Sequence, residues 1–333
     1  MIQPAGDTLH RDMTGGAERA WIDHPSGYLA LSGDNERLCV PGVPGFVAYR
    51  EHGKHLVIFG GVHAPVSERG RVLDALLEHA RQRKRRALAI QLRADQVPLF
   101  VERGFTVNRF GSSYGVRLDR YSYGGTPKMK LRNKIKRARA HLEVLEVGRE
   151  LPRTAEVYAR LEAISASWLA AKGRKEIEFM IGELGTPEQI ERRIFAASDR
   201  AGRLVGFITY VPVWGRHAGY LHDLSRRVAD APVGTMELIN ATALDRLRDE
   251  QVPYLHFGFT PFIVQGREPD GAGRLLSMAV DVLARYGSAV YPAQSQVSYK
   301  VKWGPDLVET EYVAGRPLGL RAVLDLLRLT RSL

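Results

Sequence analysis

The chain has 333 residues, 44% hydrophobic and 26% charged, a composition that reads as globular and leaves room for two domains with separate cores. Lysine and arginine number 48 against 37 acids, a formal charge of +11, and because that charge is clustered it favours a polyanionic partner through long-range steering. The lone cysteine, Cys39, excludes an internal disulfide and a thiolate metal cluster, no run approaches the ~18 apolar residues of a bilayer span, and MIQPAGDTLHRDM lacks a signal peptide's apolar core, so a reducing, cytoplasmic setting is expected.

Residues 1–36 are polar and show no sustained period; Trp21 is their one large anchor, and a partly ordered lead-in with one short helix is expected. From Arg37 the pattern alternates: LCV and GFVAYREHGKHLVIFGG predict strands, with EHGK as a hairpin turn. GGVHAPVSERG is a loop. RVLDALLEHARQRKRR predicts a helix with Val72, Leu73, Leu76 and Leu77 on its inner face, and ALAIQL a compact strand. PLFVERGFTVNRFGSSYGVRL then turns from a helix through Arg-Gly-Phe into a strand. After a Gly-Gly-Thr-Pro break comes a strongly basic helix carrying Lys128, Lys130, Arg132, Lys134, Lys136, Arg137 and Arg139, with Leu131 and Ile135 four apart on an inner stripe.

The second half opens on a LEVLEV strand and a helix around ARLEAISASWLAAK, and GRLVGFITYVPVWGRHAGYLHDL predicts its central hairpin. Residues 219–262 read as strand, polar elbow, amphipathic helix and strand, a unit that aims side chains and helix-terminal N–H groups into one crevice. A helix at GRLLSMAVDVLARYG, a terminal strand and an amphipathic tail, LGLRAVLDLLRLTRSL, follow. Hairpin, elbow, helix and strand thus occur twice, at 44–92 and 202–259, which predicts a duplicated architecture.

Several groups could carry chemistry. Asp223 and Arg226 stand three apart at a strand end facing the elbow, either as a substrate pair or as a structural ion pair. Lys300 and Lys302 alternate in YKVKW, which predicts one side of a strand, turned to the crevice for a phosphate or oxyanion or else to solvent. Glu237 sits in the first turn of the elbow helix, where it favours the positive helix end. His222 and Asp223 are adjacent and face opposite ways, which argues against a dyad. Neither elbow, GGVHAPVSERG or RRVADAPVGTM, has the Gly-rich loop that cradles a pyrophosphate, and each is interrupted by proline, so use of coenzyme A is disfavoured. No histidine spacing suggests a metal, and none is predicted.

DLSRRVADAPVGTMELIN followed by LHFGFTPF resembles the catalytic domain of lysylphosphatidylglycerol synthases, the C-terminal half of the multiple peptide resistance factor family. ISASWLAAKGRKEIEF, KMKLRNKIKRARA and SYKVKWGP extend the resemblance over roughly residues 40–313. It implies an α/β (α+β) fold of two tandem acetyltransferase-like (GNAT) domains, each a mixed twisted sheet flanked by helices. The expected boundaries are a lead-in at 1–36, a first domain at 37–125, the basic connecting helix at 126–141, a catalytic domain at 142–313 and a C-terminal helix at 314–333. The implied activity moves an aminoacyl group from aminoacyl-tRNA to an amine or hydroxyl acceptor, with no cofactor because the ester is already activated. Phosphatidylglycerol or a soluble small metabolite is the expected acceptor, the former met by peripheral contact with an anionic membrane. The membrane-embedded half of many relatives is not expected here.

Carried onto this chain, the resemblance places Asp223 against the donor's ammonium group and Arg226 beside the substrate, with Lys300 and Lys302 in the catalytic set. Glu178 would recognise a cationic aminoacyl side chain, and Gly258 and Thr260 of FGFTPF line the substrate; from the residue types alone, Tyr299 and Trp303 read either as stacking platforms for the terminal adenine or as core aromatics. Lys128, Lys130, Arg132, Lys134, Lys136, Arg137, Lys172 and Arg174 would bind tRNA phosphates. FGFTPF replaces the family's usual Gly-Met-Ala-Pro-Leu, so neither the amino acid nor the acceptor follows from the resemblance. The competing readings are an acyl-CoA-dependent N-acyltransferase and a non-catalytic RNA-binding protein.

Overall fold

A computed structural model describes residues 19–31, 35–172, 182, 184–264, 266–274, 277–278 and 293–316. Most of the predicted 273–287 helix, the tail helix and much of the lead-in lie outside the described residues, as do Arg174 and Glu178. The strands are β1 (Glu36–Leu38), β2 (Phe46–His52), β3 (His55–His63), β4 (Arg86–Leu92), β5 (Thr106–Arg117), β6 (Leu142–Glu146), β7 (Arg193–Asp199), β8 (Leu204–Val213), β9 (Gly219–Arg227), β10 (Tyr254–Pro261) and β11 (Leu307–Gly315). They form one 11-stranded sheet in the order β1-β2-β3-β4-β11-β5-β10-β9-β8-β7-β6.

The predicted duplication is visible in the pairing. Outward from the central antiparallel β5–β11 pair, either direction meets an antiparallel partner (β10 or β4), then a parallel one (β9 or β3), then an antiparallel one (β8 or β2). The terminal strand β11, expected to close the second unit, instead lies between β4 and β5 of the first. Its alternating sequence specifies a strand and says nothing about neighbours. The sheet is therefore continuous across residues 125 and 142.

Helices α1 (Gly27–Ala30), α2 (Arg69–Gln82), α3 (Val97–Val101), α4 (Met129–Arg139), α5 (Ala155–Lys172), α6 (Thr235–Asp249) and α7 (Ala293–Val301) cover the sheet. On α2 the predicted face is right: Val72, Leu73 and Leu76 are fully buried and Leu77 lies at the rim. Each such burial contributes about 1.5–3 kcal/mol. The basic helix α4 turns Leu131, Ile135 and Ala138 inward, spaced four and three apart, and packs on α6. In the lead-in, Ile22 is the buried anchor, whereas Trp21 is exposed. The elbow before α6 ends at Gly234 with φ 95°, and a Cβ there would lie 2.3 Å from the Lys134 carbonyl oxygen of α4, so close packing of the two helices requires glycine at this position.

Candidate active site

Each half contains one parallel strand pair that separates into a fork. In the second half the β9–β10 ladder runs only from Gly219–Tyr254 to Leu221–His256. Beyond it β9 pairs with β8 alone and β10 with β5 alone, leaving an opening between their C-terminal ends. A crevice at the carboxyl ends of parallel strands is where open α/β sheets place ligands. Gly258, with φ 71° at a bulge in β10, bends that arm of the fork.

Asp223 and Arg226 come together on one wall. Ile208 pairs with Ser225 and Tyr210 with His222, so β9 carries an extra residue here, and the bulge lets side chains three apart serve one face. Asp223 is buried and engaged: Arg192 Nη1 lies 2.6 Å from its Oδ2, and the Gly182 N–H donates to its Oδ1 at 2.8 Å. Burial pushes its pKa above the ordinary value, against the pull of Arg192, the Gly182 N–H and Arg226. The Arg226 guanidinium lies 4.2 Å from the centre of the Trp168 ring on α5 and donates to the Ser225 carbonyl. Arg192 eluded the sequence reading because only the fold brings it, 31 positions away, to Asp223.

Lys300 and Lys302 lie on neither side of a strand. Lys300 is in α7 and Lys302 in the turn after it, so the prediction of one shared strand face is corrected. The YKVKW alternation is too short to fix a period against the helix-compatible run AQSQVSYKV that precedes it. Lys300 reaches β10 across the mouth of the fork, where its Nζ donates to the carbonyls of Gly258 at 2.9 Å and Phe259 at 2.8 Å and to Thr260 Oγ1 at 2.8 Å. Three acceptors match the three N–H bonds of an ammonium group. Burial lowers its pKa to about 7, opposed by Glu311. Lys300, Gly258 and Thr260, each singled out from sequence, thus form one hydrogen-bonded unit.

Lys302 donates to Glu237 Oε1 at 2.7 Å, and Lys134 of the basic helix donates to the same oxygen at 3.1 Å. Burial pushes Glu237 up, but its bonds to the two lysines win and its pKa is lowered. Glu237 therefore ties α4 to the turn after α7, a larger role than the helix-end effect expected of it. Tyr299 faces His222 at 5.8 Å between ring centres and lies under Lys302 Nζ at 3.8 Å. Trp303 is fully buried and stacks on Phe257, which removes it as a platform for a base.

His222 is the first β9 residue past the last β9–β10 pair. It turns to α6, and Asp223 turns away to Arg192, in keeping with the expectation that the two form no dyad. Its partner is Asn240 of α6. Asn240 Oδ1 accepts from the Tyr210 hydroxyl at 2.8 Å and meets His222 Nδ1 at 3.0 Å. Burial is the main cause that lowers the His222 pKa to about 4; Asn240 opposes it, and Lys300 and Lys302 add to it. No spacing in the sequence signals this array, since its members come from β8, β9 and α6.

Of the predicted phosphate-binding residues, Lys130, Arg132, Lys134, Lys136 and Arg137 line the exposed side of α4. Lys128 is half-buried, donating to the Ser122 carbonyl at 2.7 Å with the Tyr121 ring 3.9 Å away, and Arg132 donates to the carbonyls of Tyr123 and Gly125. Lys172 ends α5. Among the described residues no helix is long and apolar enough to cross a membrane.

The family model for phosphatidylglycerol lysyltransferase, C-terminal, matches residues 17–315. A phosphatidylglycerol lysyltransferase of Staphylococcus epidermidis is 22% identical over 194 residues, 57% of this chain and 22% of that protein. A lysylphosphatidylglycerol biosynthesis bifunctional protein of Mycobacterium avium is 27% identical over 138 residues, 41% of this chain and 12% of that protein. The chain thus spans about a fifth or less of the length of these relatives. Among solved structures, L-PGS from Bacillus licheniformis superposes with a TM-score of 0.76 at 18% identity, covering 92% of this chain and 91% of that one. A C-terminal domain from Agrobacterium fabrum, assigned to a lysylphosphatidylglycerol synthetase, gives 0.75 at 21% identity and covers 93% and 94%.

Proposed function

The chain belongs to the phosphatidylglycerol lysyltransferase C-terminal family, and from that premise we propose that it transfers an aminoacyl group from aminoacyl-tRNA to the hydroxyl of phosphatidylglycerol. The observation that carries this reading is the second fork, where imidazole, ammonium and guanidinium groups gather at the parting of β9 and β10 beside an exposed basic helix. An aminoacyl ester needs orientation, removal of a proton from the attacking hydroxyl and compensation of oxyanion charge, and this site has groups suited to each task.

The exposed face of α4 offers Lys130, Lys134, Lys136 and Arg137 to an acceptor stem's phosphates. The acceptor would arrive from a bilayer. Val233 in the elbow, Val301 at the end of α7 and Met129 at the start of α4 are 61%, 51% and 48% exposed. Their segments converge: Gly234 packs on Lys134, Gly304 packs on Lys128, and Lys134 and Lys302 share Glu237. Apolar side chains interleaved with lysines are what an anionic lipid surface rewards. Coenzyme A is not favoured as donor, because Pro232 interrupts the elbow and the Lys134 carbonyl presses on Gly234 where a pyrophosphate would need N–H groups.

The test incubates the chain with a mixture of labelled aminoacyl-tRNAs and phosphatidylglycerol vesicles at low salt. Label should pass into the organic phase, and prior RNase treatment should abolish the transfer. Turnover supported by acetyl-CoA and indifferent to RNase would overturn the reading.

A further inference from the structure

Resting on that reading, we propose that His222 is the general base and acid of the transfer, its Nε2 taking the proton from the acceptor hydroxyl while Asn240 and Tyr210 fix its tautomer. The geometry is specific. Asn240 Oδ1 already accepts from the Tyr210 hydroxyl, so the imidazole meets it as an N–H donor, with the proton on Nδ1 and the lone pair on Nε2. Nδ1 is the atom of His222 that bonds a polar partner among the described residues, and the ring's other neighbours, Tyr210, Tyr299 and Phe257, present aromatic surfaces. A half-buried histidine held at one nitrogen, standing where two parallel strands part, is arranged for proton transfer at the other.

The step balances. The acceptor oxygen attacks the ester carbonyl as its proton passes to Nε2, and the carbonyl electron pair moves onto oxygen to give a tetrahedral oxyanion and an imidazolium. Collapse re-forms the carbonyl and breaks its bond to the terminal ribose oxygen of the tRNA. That ribose oxygen takes the proton back from Nε2, so the imidazole ends neutral and no co-reactant is consumed.

The charged and titratable groups around the ring fit this cycle. Lys300 from α7 and Lys302 from the turn after it disfavour a resting imidazolium, as burial also does, so the base is unprotonated at any physiological pH. The same two cations favour the oxyanion, and an imidazolium that gives up its proton readily assists departure of the ribose oxygen. Tyr210 from β8 and Tyr299 from α7 have pKa values raised by burial and stay neutral.

The experiment compares wild type with His222→Gln and Asn240→Asp in the vesicle assay and follows the imidazole of wild type by nitrogen NMR. His222→Gln should lose ~10²- to 10⁴-fold in kcat with aminoacyl-tRNA affinity unchanged. Asn240→Asp puts a carboxylate against Nδ1–H and should move the acid limb of kcat/KM to higher pH. A His222→Gln enzyme within about threefold of wild type, or an acid limb that does not move, would overturn the proposal. If wild type transfers nothing, the reading of the function fails and the role of His222 in it fails too; where transfer is seen, NMR tests the assigned tautomer independently of the variants. Nδ1–H with Nε2 unprotonated at pH 5 supports it; an Nε2–H tautomer, or titration near the usual ~6.5, overturns it.

Discussion

The two forks of the sheet share a plan and differ in what fills them. In the first half β3 and β4 pair from His55–Arg86 to Phe59–Ile90 and then separate, as β9 and β10 do in the second. The first fork is plugged. Buried Gln96 lies across it, its Oε1 accepting from the Val62 N–H at 2.8 Å and its Nε2 donating to the Val62 carbonyl at 3.3 Å. Gly61 makes room, since a Cβ there would stand 2.4 Å from Gln96 Oε1. One amide replaces the ladder partner that β3 lost, so the backbone is satisfied and the fork is closed. In the second fork, among the described residues, no amide bridges the strands in this way; ionisable side chains border the opening instead, His222 on the α6 side, Asp223 and Arg226 on the side of Arg192 and Trp168, and Lys300 bonded to β10 at the mouth. The duplicated unit has become a scaffold on one side and a chemical site on the other.

The largest expected effect comes from breaking the pair under the second fork. Arg192→Ala leaves the buried Asp223 carboxylate without its cation, and loss of one partner of such a pair costs about 3–5 kcal/mol. The variant should unfold at markedly lower denaturant concentration and also lose transfer. A stable Arg192→Ala protein would mean that Asp223 finds compensation elsewhere and that the second fork is less tightly built than the first.

Next in size is the plug. Gln96→Leu keeps the volume and removes both bonds to Val62, leaving a buried N–H and carbonyl at about 1–3 kcal/mol each. Stability should fall by that order while kcat of the remaining folded enzyme stays at the wild-type value. A loss of kcat with stability retained would show that the first fork takes part in the chemistry.

Much of this contrast was legible in the sequence, and the remainder has a physical reason for being hidden. Periodicity located both hairpin–elbow–helix–strand units and the inner stripe of α4, because a strand or helix face is written in consecutive residues. The motif match brought Asp223, Arg226, Lys300, Gly258 and Thr260 forward. Gln96, Arg192 and Asn240 were missed because each acts through one contact with a distant segment, and spacing carries no trace of such contacts. The same holds for β11, whose alternation is plain and whose place between β4 and β5 is set by the whole sheet. Lys300 was drawn forward for the wrong geometry: a strand would have turned it with Lys302 to one side, whereas the helix directs one to β10 and the other to Glu237.

A smaller effect, shared by both forks, is pH-dependent stability. His63 in the first half and His222 and His256 in the second are lowered to about 4, and His24 well below its usual value, with burial the leading cause each time. Their folded pKa values lie under the unfolded ones, so on acidification the unfolded chain takes up protons first. Stability is whole above ~6.5 and falls as pH drops toward 4. Glu311, raised to about 8 chiefly by burial, acts oppositely: the folded chain keeps its proton while the unfolded chain loses it, so stability falls as pH rises from ~4.5 to 8. Asp223 and Asp245, also raised by burial, act with Glu311, and His79, lowered by burial, joins the other four histidines, so on acidification below pH ~6.5 five histidines oppose three carboxyls. Denaturation midpoints should decline on acidification through that window, and His63→Phe should make the decline shallower. A slope unchanged by His63→Phe would leave the acid sensitivity to His24, His79, His222 and His256.

The smallest expected change in stability is also the most selective for function. Lys134 and Lys302 meet at Glu237, yet the Lys134 side chain is 49% exposed and that of Lys302 23%. An exposed lysine in an ion pair contributes about 0–1 kcal/mol, so Lys134→Ala should barely move the unfolding midpoint, and Lys302 still holds Glu237. If α4 reads phosphates, the same change should weaken aminoacyl-tRNA binding and reduce the salt dependence of log Kd by about one counterion. Arg83, at the end of the first half's helix α2 and already paired with Glu51, serves as the control: Arg83→Ala should leave the salt slope unaltered. Equal slopes for both variants would mean that the RNA approaches by another face, and the asymmetry between the halves would then rest on the forks and not on the helices beside them.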